Sequence, residues 1–86
     1  MKVTDKLTTS SIHSIEWGEA TWDSSDVSIR NRYDNASGSK FNYAGSAEIP
    51  WEDFNNMILE SIRRDQLDNI ELGKIMDEIS TKLKKL

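Results

Sequence analysis

His13 is the only histidine in the sequence and the residue type best suited to general acid–base work near neutral pH. It stands in a Ser/Thr-rich stretch, TTSSIHS, with no Gly-x-Ser-x-Gly elbow or other nucleophile motif beside it. The expected role is that of a surface or strand histidine, and no enzymatic activity is expected. There is no cysteine, so thiolate metal sites and disulfides are excluded, and one histidine leaves no classical zinc set. Glycine-rich phosphate loops and dinucleotide fingerprints are absent, and no metal or cofactor is expected.

Two further groups carry charge in a pattern. Glu16, Glu19, Asp23 and Asp26 form an acidic run, with no Lys or Arg between Leu7 and Ile29. Its order is not that of a calcium loop: solvated carboxylates or cross-strand pairs are the first expectation for it, a protein-binding acidic patch the second and a metal site the third. Arg30 and Arg32 sit two apart, so on a strand they share one face. Trp17 and Trp22 lie shortly upstream, and this mix of rings and guanidiniums is what single-strand nucleic-acid binders use for bases and phosphates. Ordinary cross-strand pairing of these arginines with Glu19 or a tryptophan face is the competing explanation.

Those residues need strands to hold them. Ile12 to Trp22 reads as a first strand, with a bulge near Gly18 to reconcile two tryptophans of opposite parity. Asp23-Ser24-Ser25-Asp26 reads as a four-residue hairpin turn. Val27, Ile29 and Tyr33 alternate with Ser28, Arg30 and Arg32 in a second strand. A turn of four residues would pair Glu19 with Arg30 and Trp17 with Arg32, making Trp17, Glu19, Arg30 and Arg32 an exposed binding surface. Asp34 to Ser39 is a loop, and Phe41 to Ile49 a third strand.

Pro50 opens the clearest amphipathic helix, with Glu52 and Asp53 at its start, Arg63 and Arg64 at its end, and Trp51, Phe54, Met57, Ile58 and Ile62 on one stripe. That stripe is expected to be buried against Val27, Ile29, Phe41 and Tyr43. A second helix follows the capping-box pair Asp68 and Glu71, although Gly73 weakens its first turns. Leu72, Ile75, Met76, Ile79 and Leu83 make its apolar stripe, a candidate dimer seam. Without disulfides, association is the remaining way for a chain of 86 residues to bury more apolar surface.

Residues 1–11 are polar and expected to form a flexible N-terminal segment, with residues 12–86 a single α+β domain. The expected architecture is a three-stranded antiparallel sheet followed by two helices, β-β-β-α-α. Its layout resembles that of small coactivator-type single-strand binders, in which a curved sheet precedes an amphipathic helix. The N-terminal residues contain no apolar run of signal-peptide length, and no segment suits a membrane span, so a cytoplasmic location is expected. The formal charge of −4 favours solubility and disfavours nonspecific duplex binding. The expected function is a small non-enzymatic protein-binding module, an adaptor or inhibitor of the accessory type found in phages and mobile elements, with a homodimer as one assembly. The alternative is a single-stranded nucleic-acid-binding module.

Overall fold

The computed structural model describes residues 1–36 and 40–86. The chain is α+β, with four strands and two helices: β1 Lys2–Thr8, β2 His13–Glu19, β3 Val27–Tyr33, β4 Glu48–Pro50, α1 Trp51–Arg63 and α2 Asn69–Leu83. It divides into two compact units, Met1–Asn55 and Asn56–Leu86.

The first unit holds one antiparallel sheet in the order β1-β2-β3-β4. The strand count is therefore four, not three: residues 2–8, expected as a flexible lead-in, form the first edge strand. Every residue of β1 is exposed, so its sequence carries no burial period, and backbone pairing alone defines it. The bulge expected near Gly18 lies across from it, between Val3 and Asp5 of β1, while β2 pairs with β3 without interruption. A Cβ on Gly18 would fall 2.0 Å from the Lys2 carbonyl oxygen, so only glycine lets the bulged strand come this close.

The hairpin register differs from the expected one by an odd number, which exchanges the faces of the sheet. Glu19 pairs with Val27, Trp17 with Ile29, Glu16 with Arg30 and Ser14 with Arg32. The cause is a longer connection. Thr21, placed in the strand by its β propensity, instead donates its amide and hydroxyl to the Glu48 carboxylate at 2.9 and 2.7 Å. The ladder closes at Ala20 N–H to Asp26 C=O, and within the loop Asp23 accepts from the Ser25 amide and hydroxyl.

The third expected strand is shortened to Glu48–Pro50. Asn42 accepts the Gly45 amide through both its backbone and its side chain and folds the intervening residues into a turn. Ser46 then bridges the amide and carbonyl of Tyr33, and Asp34 bridges to Phe41. Of the loop expected over residues 34–39, residues 37–39 lie outside the described residues. Pro50 ends β4 and immediately precedes α1.

The aromatic core expected around α1 is not formed. Trp51 is exposed, Phe54, Ile58 and Ile62 are half-buried, and no residue of either helix is buried. Among the described residues the buried hydrophobics are Ala20 and Ile29, and the other buried side chains are polar: Ser14, Glu16, Ser28 and Ser46. In the second unit α1 ends in a Schellman motif, with Gln66 N–H to Ser61 C=O and Asp65 N–H to Ile62 C=O, and with Asp65 at φ 58°. Asp68 caps α2 as expected: its carboxylate accepts the Glu71 amide at 2.8 Å while the Glu71 carboxylate accepts the Asp68 amide.

Candidate functional site: a tryptophan surface around Val27

The register sorts the sequence candidates onto opposite faces. Arg30 and Arg32 share a face with Glu16, which is 2% exposed. Arg30 meets one carboxylate oxygen of Glu16 at 2.7 Å through Nη2 and at 2.9 Å through Nε, and Arg32 Nη1 reaches the other at 3.5 Å. Arg32 also donates from Nε to Asp34 at 3.1 Å. Phe41 lies over both guanidiniums, 4.7 Å and 4.4 Å from ring centroid to carbon, and Tyr43 meets Phe41 edge-on. The arginines are thus neutralised and capped. Their aromatic partner is Phe41, brought in by the Asn42 turn, and not Trp17.

His13 is likewise committed to structure. Its Nδ1 is hydrogen-bonded to Thr9 Oγ1, its Nε2 to Asn31 Oδ1 at 2.5 Å, and its ring lies against Tyr33.

Trp17 and Glu19 occupy the other face, with Leu7, Ile15, Val27, Ile29 and Ile49. This is the apolar side of the sheet, yet Leu7 and Val27 are each 51% exposed. Two clefts flank Val27. One, of about 300 Å³, is bounded by Trp22, Asp26, Pro50, Trp51 and Glu52. The other, of about 180 Å³, is bounded by Thr4, Trp17, Glu19 and Ser24. All three tryptophans of the chain therefore gather around one exposed valine, with Glu19, Asp26 and Glu52 among them.

Each is positioned locally. Trp17 is fixed by the ladder, Trp22 by donation from its indole Nε1 to Asp26 Oδ2 at 3.1 Å, and Trp51 by the start of α1, where it lies against Phe54. Asp23, in the same loop, is held below the usual carboxylate range by the Ser25 amide and hydroxyl, so the loop stays anionic at neutral pH. Residues 1–55 hold nine acids against five bases, which accounts for the whole charge of −4; residues 56–86 balance at six each. The surface is thus aromatic, apolar and acidic. Sequence reading singled out Trp17, Glu19 and the acidic run but missed Trp51, whose helical stripe pointed to a core.

Comparison with protein-family models, curated proteins and solved structures gave no match.

Among the described residues no group of three or more His, Cys, Asp or Glu is placed to hold a metal ion, and no helix is long and apolar enough to cross a membrane.

Proposed function

We propose that this protein is a small non-enzymatic, cytoplasmic protein-binding module that docks a basic, partly apolar segment of another protein on the Val27 surface. The observation that carries this reading is the convergence of Trp17, Trp22 and Trp51 with Glu19, Asp26 and Glu52 around an exposed valine. Tryptophan is the strongest cation–π acceptor, and a Lys or Arg beside it is also attracted by the carboxylates. The apolar strand face supplies the area that an interface core needs. Such a module acts as an adaptor or by occlusion, the part an accessory protein of phage or mobile-element type plays, and self-association through α2 belongs to the same reading.

The test is calorimetric titration of the protein with a Lys/Arg-rich peptide carrying interspersed leucines, against a Glu-substituted control. Trp51→Ala and Glu52→Lys are expected to weaken binding at least about tenfold, whereas Arg32→Ala leaves it unchanged. Equal binding of the acidic control, or binding lost only in Arg32→Ala, overturns the reading.

A second reading uses the opposite face. Arg30, Arg32, Phe41 and Tyr43 line a cleft of about 550 Å³ with Met1, Thr21, Ser46 and Glu48, and Tyr43 is 80% exposed, free to stack on a base. Glu16, Asp34 and Glu48 offset the arginines there, which places single-stranded nucleic acid second. Capture from lysate that nuclease abolishes would favour it.

A further inference from the structure

The larger of the two clefts beside Val27 has walls of two kinds. Trp22 and Trp51, 49% and 39% exposed, bring two indoles to it, and Val27 and Pro50 add aliphatic surface. Asp26 and Glu52 bring charge, and among the described residues no Lys or Arg lines the cleft. The smaller cleft differs in having Trp17 as its one aromatic residue among those described.

Some of the polar groups in the larger cleft are already engaged. The Trp22 indole N–H is given to Asp26 Oδ2 at 3.1 Å, and the Ser25 hydroxyl to Asp23 Oδ1 at 2.8 Å. What remains for a ligand is ring, aliphatic surface and negative charge, carried by the second oxygen of Asp26 and by the Glu52 carboxylate. Glu52 has no side-chain partner among the described residues. Such walls repel an anion and give a neutral group burial alone. A primary ammonium gains from the charge but brings three N–H donors, and a guanidinium brings five. Each donor turned toward an indole or Val27 gives up water without gaining an acceptor. A methylated ammonium brings one N–H or none. It lays its methyl groups on the rings and the valine while ring faces and carboxylates attract its charge.

We propose that this cleft is a pocket for a methylated lysine, di- or trimethylated, on the segment that docks on the Val27 surface. The inference rests on that docking reading and names the side chain that enters the cleft. The occupant is a lysine side chain, and not a free onium ion, because the cleft lies beside the half-exposed Val27 on the apolar strand face. That face gives contact to residues flanking a lysine and adds nothing for a free ion.

The test is calorimetric titration of the full chain with three leucine-containing peptides that differ at one position. One bears lysine, one trimethyllysine, and one the neutral isostere in which carbon replaces the charged nitrogen. The trimethyllysine peptide is expected to bind at least about tenfold more tightly than either of the others. Trp22→Ala and Trp51→Ala should each erase that preference with circular dichroism unchanged, since both rings are exposed. Trp17→Ala, on the smaller cleft, should keep it. Trp51→Phe should keep a reduced preference, because phenylalanine retains a ring but binds cations less well than tryptophan. It is the variant to read if Trp51→Ala disturbs the start of α1. Equal affinity for trimethyllysine and either other peptide overturns the inference, as does a preference that survives Trp51→Ala. Tetramethylammonium ion binding as tightly as the peptide also overturns it, making the cleft a site for a free cation. Lysine and trimethyllysine peptides that bind equally, and are both weakened by Glu52→Lys, leave the docking surface standing and sink the pocket alone. If no basic peptide binds, both readings fall.

Discussion

Arg30 Nη2 lies 2.7 Å from Glu16 Oε1, across a register position where β2 and β3 pair the two residues directly. The carboxylate is almost wholly withdrawn from water and has Arg32 on its other oxygen. In a unit whose buried side chains are mostly polar, this network does much of what an apolar core does elsewhere. Removing one partner of a buried pair leaves the other charge uncompensated, at roughly 3–5 kcal/mol. Glu16→Ala is therefore expected to lose most of the stability of a domain this small, measured by urea unfolding followed through tryptophan fluorescence. Glu16→Gln, which keeps a hydrogen-bond acceptor, should lose less. Wild-type stability in Glu16→Ala would mean that Phe41 and the loop around it, not the ion pair, hold this face.

Gly18 gives a second, backbone-level prediction. An added Cβ would overlap the Lys2 carbonyl oxygen and the Val3 Cα, both of them main chain, so no side-chain rotation relieves it. Gly18→Ala is expected to displace β1 from the sheet while β2 and β3 stay paired. Amide hydrogen exchange shows this as lost protection over residues 2–8 with protection kept over residues 27–33. Unchanged protection on β1 would contradict the close approach.

These two residues also show what the sequence made legible. The alternation of Val27, Ile29 and Tyr33 with Ser28, Arg30 and Arg32 fixed β3, and the Asp68/Glu71 pair fixed the start of α2, because both signals are local. The partner of Arg30 was not legible. It depends on the hairpin register, and the register is set by Thr21 turning to a carboxylate 27 residues away. The Trp51 stripe misled for a related reason: periodicity reports an apolar face but not whether anything covers it. The convergence of Trp17, Trp22 and Trp51 needs the strand, the loop and the start of α1 placed together.

Asp65 holds a positive φ of 58° at the end of α1, where glycine pays no steric penalty. Asp65→Gly is expected to raise stability by about 1 kcal/mol, the left-handed penalty that glycine is spared. Gly73→Ala in α2 should add about 1 kcal/mol, because a Cβ there meets nothing within 4 Å. Urea midpoints of the two single variants and their combination check both values. A lower midpoint for Asp65→Gly would show that the carboxylate, not the backbone, holds that turn.

Glu48 gives the pH dependence. Burial pushes its carboxyl up, but the hydroxyl and amide of Thr21, the hydroxyl of Ser28 and the amino group of Met1 together outweigh burial and leave it below its ordinary value of 4.5. A carboxylate whose folded value is depressed contributes stability above its unfolded value and loses it as the pH falls through the folded one. The expected result is a stability gap between wild type and Glu48→Gln that is full at neutral pH. It should begin to close as the pH drops past 4.5 and vanish once the carboxylate is protonated in both states. The loop should respond with it, since Thr21 spends its amide and hydroxyl on this one group. Trp22 fluorescence, isolated by replacing Trp17 and Trp51 with Phe, should therefore shift over the same interval. A gap that is constant between neutral pH and pH 3 would show that Glu48 is not the group coupling the hairpin loop to β4.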